Sequence, residues 1–182
     1  AFVSLRPDSM VIKSSEEEMP AFLTQEAIVC PTKQRLPVLV GLLRQLKANA
    51  GTTGGRGVVF LSNCDSVDYH YELFRKRGVI PDLSLPAIFK LHGNLEQHER
   101  QEQLVAFARE PCAVMFVTDV AARGLNMASS SSSTSAGSSG SSASGVQLII
   151  QYDAPCDRLD YVHRAGRTAR GIGTHGRSVL IL

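Results

Sequence analysis

The sequence predicts an α/β fold in three layers, a mainly parallel β-sheet flanked by helices on both faces. Three observations carry this reading. Short runs rich in Val, Ile and Phe alternate with longer stretches of helical periodicity along most of the chain. The runs "VVFLS" and "CAVMFVTD" are apolar at consecutive positions, as strands covered on both faces are. Between successive strands lies enough chain for a crossover helix, which implies parallel pairing and right-handed connections.

The elements follow in order. Residues 1–26, with "SSEEEMP", read as an exposed lead-in whose glutamates form a solvated charge run. "AIVCP" (27–31) predicts the first strand. Thr32 is placed to cap a helix from Lys33 to about Asn49, with Leu36, Leu39, Leu43 and Leu46 on one stripe and Pro37 in its first turns. The Gly-rich 50–57 stretch predicts a loop, and 58–62 a strand. A helix from about Asp65 to Arg77 is expected to end at Gly78. "AIFKLHG" (87–93) is strand, and 96–110 is helix with Leu104, Phe107 and Ala108 inward. Strands at 112–119, 146–153 and 177–182 and a helix near 157–167 complete the set.

One block departs from this pattern. Residues 128–145 contain eleven Ser among eighteen positions and offer nothing to bury. Connections in α/β units usually run about 2–6 residues, so this block reads as a disordered insertion within the domain at 27–182. A neutral insert is the plain reading. A phosphorylated regulatory tract competing with nearby basic residues is the alternative.

Composition limits the function classes. The 182 residues suffice for one core, and 43% hydrophobic with 20% charged residues describes a globular chain. A net charge of +2 excludes a polycationic nucleic-acid coat, so any basic surface must be local. No apolar run approaches the roughly 20 residues of a membrane span. The chain opens on Ala rather than Met, which leads us to expect a piece of a longer polypeptide. Cys30, Cys64, Cys112 and Cys156 form no C-x-x-C pair and read as small core residues in a reducing compartment.

In parallel sheets ligands gather beyond the C-terminal strand ends. Three predicted strands end there in polar groups: Asn63, then His92 and Gly93, then Thr118 and Asp119. Helix starts behind them favour phosphate oxygens, Gly93 lets a phosphate approach the backbone, and the Thr118 hydroxyl is a donor. "QHER" places Gln97 and Arg100 on one side of a helix, while Arg123 stands four residues after Asp119, the spacing of a local ion pair. Finally "HRAGRTARG" sets Arg164, Arg167 and Arg170 at intervals of three behind His163. The basic stretch reaches Arg177 without an Asp or Glu. A helix C-terminus needs one cation at most. Three guanidinium groups beside Gly166 and Gly171 point to a polyphosphate, whose oxygens they match two at a time.

"VVFLSN", "LHGNLEQHER", "TDVAARGLN", "LIIQYDAP" and "YVHRAGRTARG", in this order and spacing, resemble the motifs of the second RecA-like domain of DEAD-box RNA helicases. "LTQEAIVCPTKQRLPVLVGLL" fits the start of that domain, and the resemblance covers about residues 20–182 apart from the Ser block. "YVHRAGRTAR" with "HGRSVLIL" is similar to the nucleolar branch that assists large ribosomal subunit assembly. That likeness implies a nuclear or nucleolar location and pre-ribosomal particles as partners.

The resemblance implies roles. Arg167 and Arg170 match the arginines that reach the γ-phosphate of ATP, and His163 the residue coupling that site across the cleft. Asn126 stands where most relatives carry an Asp on the ribose; it accepts a hydrogen bond but brings no charge. Gly93, Arg100 and Thr118 match positions holding RNA phosphates, to which the strand-end reading adds Asn63. Gln97, Asp119 and Arg123 match the network joining the two sites. ATP and Mg²⁺ would be held mainly by an N-terminal RecA-like domain of the same polypeptide, since this sequence has neither a G-x-x-x-x-G-K-[ST] loop nor D-E-A-D. The function implied is the C-terminal half of an ATP-dependent RNA helicase, inactive as a fragment. A non-catalytic RNA-binding or scaffolding module of the same fold is the alternative, and the Asn126 departure supports it.

Overall fold

The computed structural model describes residues 22–49, 55–76, 87–123, 145–169 and 175–182. Strands β1 (Leu23–Ile28), β2 (Gly55–Leu61), β3 (Ile88–Leu91), β4 (Cys112–Thr118), β5 (Val146–Gln151) and β6 (Gly176–Ile181) alternate with helices. The helices are α1 (Arg35–Asn49), α2 (Cys64–Arg75), α3 (Gln97–Arg109), α4 (Asp119–Arg123) and α5 (Arg158–Ala165). The strands form one sheet of order β1-β6-β5-β2-β4-β3, and every pairing is parallel. The sheet is wholly rather than mainly parallel, as a chain built only of crossovers requires.

Two cores result. Leu39, Leu42, Leu43 and Leu46 of α1 and Val67 and Phe74 of α2 pack on Val59, Leu61, Val114, Phe116 and Ile150 on one face. Phe107 of α3 and Ala121 and Ala122 of α4 pack on Val58, Phe60, Met115, Val117 and Ile149 on the other. The expected α1 stripe is therefore real, although Leu36 is only partly buried. Each buried Leu contributes about 1.5–3 kcal/mol.

Several expectations need correction. β1 begins at Leu23, inside the expected lead-in, and ends before Val29, which is 81% exposed. Its sequence, "LTQEAI", is polar because it is an edge strand with Thr24, Gln25 and Ala27 exposed. β2 takes in residues 55–57 of the expected loop, where Gly57 lies so close to α1 that an added Cβ would stand 2.8 Å from Leu46 Cδ2. Thr32 does not cap α1; it opens a single 3₁₀ turn behind Pro31, and α1 starts at Arg35. Cys30, Cys64 and Cys112 are only half-buried and Cys156 is exposed, since the interior positions went to branched and aromatic side chains. Gly78, Gly171, the Ser-rich block and most of the lead-in lie outside the described residues.

One close approach fixes the end of the basic segment. A Cβ on Gly176 would stand 2.3 Å from Thr168 Oγ1 and 2.7 Å from the Ala169 nitrogen. Neither can yield easily: Thr168 is buried with its hydroxyl donating to the Val146 carbonyl, and Ala169 already holds φ 55°. Gly176→Ala should therefore lower stability by roughly 1–3 kcal/mol through overpacking, read as a lower urea midpoint with unchanged slope.

Candidate nucleic-acid interface

Because the sheet is parallel, the residues following each strand share one rim. Three neighbouring strands, β2, β4 and β3, deliver Asn63, Thr118 and Gly93 there. Strand spacing of about 4.8 Å sets the outer two about 10 Å apart. Asn63 is the N-cap of α2, its side-chain oxygen accepting the Ser66 N–H at 2.8 Å. Thr118 is the last residue of β4 and is buried. Gly93 is exposed and nothing lies within 4 Å of where a Cβ would stand, so the loop is open on that side.

Arg100 shapes this loop from α3. Its Nη2 donates to the Gly93 carbonyl at 2.7 Å and its Nε to the Leu95 carbonyl at 3.1 Å. Gln97, exposed, opens the same helix, which is fixed by reciprocal bonds between Glu96 and Glu99. Beneath Gly93, His92 is buried with Nε2 3.3 Å from Asp68 Oδ1, an oxygen also held by Lys90. Burial favours the protonated form of Asp68, but Lys90 and His92 together outweigh it and hold the carboxyl below its ordinary range.

The second group belongs to β5 and α5. Asp157 caps α5 by accepting the Asp160 N–H at 2.8 Å, and the helix carries His163 and Arg164 in its last turn. His163 and Arg167 are half-buried, Arg167 in the turn after the helix with its N–H donating to the Arg164 carbonyl at 3.1 Å. Gly166 ends the helix, its N–H donating to the Val162 carbonyl at 2.8 Å. Arg170 and Asn126 lie outside the described residues.

Arg164 departs from the expected phosphate-binding stripe. Its side chain is 3% exposed and lies inward, with Nε and Nη2 each 2.6 Å from the two carboxylate oxygens of Asp119. Nη1 donates to the Asp153 carbonyl at 2.6 Å, and the guanidinium lies 5.3 Å from the Phe60 ring centre. α5 ends at Ala165, so Arg164 stands on the helix and Arg167 in the turn after it, and helical spacing does not hold them on one stripe. Asp119, whose spacing to Arg123 suits a local ion pair, forms this fork with a residue 45 positions away; the Arg123 side chain lies outside what the structure describes. Arg123 closes α4. Arg177 is likewise neutralised, by both oxygens of Glu26 at 2.7 Å.

Two residues had no assigned role in the sequence. Asp153 follows β5 within "LIIQYDAP", and its Oδ2 accepts the Ser62 N–H at 2.8 Å. Its Oδ1 lies 3.3 Å from Arg35 Nη2, which also donates to the Tyr152 carbonyl. A carboxylate directly after a buried strand was the available signal. Arg35, at the start of α1, gave none.

Six parallel strands with helices on both faces, and a rim that carries the Asn63 amide, the Thr118 hydroxyl and the Arg100 guanidinium, define a RecA-like α/β domain. The chain belongs to the helicase conserved C-terminal domain family, whose model matches residues 28–131 and 132–171. It is 35% identical over 175 residues, 91% of its length, to DEAD-box ATP-dependent RNA helicase 17 of Oryza sativa subsp. japonica, and covers 26% of that protein. It is 35% identical over its whole length to the ATP-dependent RNA helicase HAS1 of Mycosarcoma maydis, covering 27% of it. The chain thus spans about a quarter of the length of these curated relatives. Its fold matches the C-terminal domain of the DEAD-box protein Dbp5 with a TM-score of 0.64 at 23% identity, over 88% of this chain and 77% of that one. It is a DEAD-box-type C-terminal RecA-like domain.

Proposed function

We propose that this chain is the half of an ATP-dependent RNA helicase that grips RNA phosphates and senses the nucleotide. The observation that carries this reading is the presence of two separate polar groups, one beyond the strand ends and one at the end of α5. Asn63, Gly93, Arg100 and Thr118 gather beyond the C-terminal ends of β2, β4 and β3, whereas His163 and Arg167 lie at the end of α5, toward the starts of β5 and β6, and the Arg164–Asp119 pair joins the two.

On this reading Asn63, Gly93, Arg100 and Thr118 engage RNA phosphates, which carry no sequence information, so binding is salt-sensitive and largely sequence-independent. Arg167 and Arg170 reach a γ-phosphate presented by an N-terminal RecA-like domain, His163 couples that contact across the cleft, and Asn126 meets the ribose. Gln97, Asp119 and Arg123 carry the state of one site to the other. The guanidinium groups of Arg167 and Arg170 suit phosphate oxygens and not Mg²⁺, which prefers carboxylates and water. The magnesium therefore belongs to the other domain. ATP, when bound, supplies the terminal phosphate that makes domain closure favourable. Closure joins two phosphate-binding surfaces into a track that a straight duplex cannot follow, so one strand bends and its partner leaves. Pre-ribosomal RNA in the nucleolus is the proposed setting, in keeping with the ribosome-assembly likeness of the basic segment.

Mixing experiments test the assignment. Alone, the chain should hydrolyse ATP no faster than a blank, because arginines without a phosphate loop provide no nucleotide grip. Added to an intact N-terminal RecA-like domain from a DEAD-box relative, it should restore RNA-stimulated phosphate release. RNA binding without restored hydrolysis would favour the scaffolding alternative, and turnover by the chain alone would refute the division of labour.

A further inference from the structure

We propose that Asp153 is a positioning residue that couples the RNA side of this domain to its nucleotide side, an inference resting on the function just proposed. The topology directs attention to it. From β2 the chain leaves through α2 toward β3, and from its neighbour β5 it leaves through α5 toward β6, in the opposite direction. Adjacent strands whose connections diverge open a crevice at their C-terminal ends, where α/β proteins place their ligands. Here Asp153 occupies that crevice with its own carboxylate.

Every polar group of the residue is engaged with a different element. Oδ2 accepts the Ser62 N–H at 2.8 Å, on the peptide next to Asn63. Oδ1 faces Arg35 Nη2 of α1 at 3.3 Å. The main-chain carbonyl accepts Arg164 Nη1 at 2.6 Å, and the N–H donates to the Phe60 carbonyl of β2 at 3.3 Å. One residue thus touches both the segment that leads into Asn63 and the side chain that anchors α5. On this proposal a phosphate that draws on Asn63 pulls on the Ser62 peptide, and the Asp153 backbone, bonded to both Phe60 and Arg164, passes that pull on.

The geometry is not the one stability alone would select. The Arg35–Asp153 pair is less than one quarter exposed on both sides, yet Arg35 Nε is buried without an acceptor. A buried donor left unmatched points to a guanidinium placed for Asp153 and Tyr152 rather than for its own best hydrogen bonding. Arg35 also lies over the Tyr152 ring at 4.7 Å, which fixes the peptide preceding Asp153.

The test uses the helicase polypeptide that contains this chain, with ATP hydrolysis followed against increasing poly(U). In Asp153→Asn the maximal RNA-stimulated rate should fall about tenfold, the size of a typical coupling free energy, while the poly(U) concentration at half-stimulation stays within about twofold. Arg35→Gln, which leaves the Asp153–Ser62 bond in place, should lower the same rate, and the double variant should be no worse than the poorer single one. Wild-type stimulation in Asp153→Asn overturns the proposal. So does a loss confined to folding stability, with normal stimulation once the remaining folded fraction is counted. If the unmodified polypeptide shows no RNA-stimulated hydrolysis, the underlying helicase reading fails first, and that outcome is read before any variant is compared.

Discussion

Asp119→Ala is expected to destabilise the fold by about 3–5 kcal/mol, the usual cost of removing one partner from a buried ion pair. Arg164 is 3% exposed and gives two of its three hydrogen bonds to Asp119, each at 2.6 Å. Without that carboxylate the guanidinium keeps, among the described residues, the Asp153 carbonyl as its hydrogen-bond acceptor. Arginine cannot relieve the strain by losing its proton, so it must leave the interior and take the end of α5 with it. Urea unfolding of the chain measures the loss directly. A loss under about 1 kcal/mol, the range of a surface pair, would mean that water or another acceptor reaches Arg164. Replacing both residues with apolar ones of similar volume should recover much of the loss, since no unpaired charge then stays buried. Activity should not recover with it, because the link between α4 and α5 is gone.

Arg170→Lys in the intact helicase should lower RNA-stimulated turnover by roughly 10³-fold or more, the scale of an arginine finger and about 4 kcal/mol of barrier. Lysine keeps the charge but loses the planar fork that meets two phosphate oxygens at once. RNA affinity without nucleotide should stay near wild type, because the residues proposed to hold RNA follow β2, β4 and β3, whose strand ends are distant from the segment after α5. Steady-state phosphate release and fluorescence anisotropy with labelled RNA measure the two arms. Wild-type turnover would remove Arg170 from the mechanism, whereas an equal loss of RNA affinity would place it among the RNA contacts.

Much of the domain was legible without coordinates. Consecutive apolar residues announced β2 and β4, and leucine periodicity announced α1. The one misplaced strand, β1, is an edge element whose outward residues are polar, so its burial pattern resembles the solvated segment before it. The cysteines misled for a related reason: residue type gives a preference for burial, while position in the sheet decides it. At the rim the motifs named Asn63, Gly93, Thr118 and Asp119 correctly as strand-end residues. They did not reveal that Arg100 would hold the Gly93 loop, nor that Asp153 would fill the crevice beside β2.

The arginines mark the limit most clearly. Read along the chain, the segment from His163 to Arg177 contains no Asp or Glu, which predicts charge directed wholly outward. In the folded domain Arg164 meets Asp119 and Arg177 meets Glu26, across 45 and 151 positions. Sequence alone determined most of the elements and their parallel arrangement, because these follow from local periodicity and residue chemistry. Which cations face outward and which are neutralised was decided by tertiary structure. A parallel sheet gathers distant strand ends on one edge, and only there do the acids find the bases.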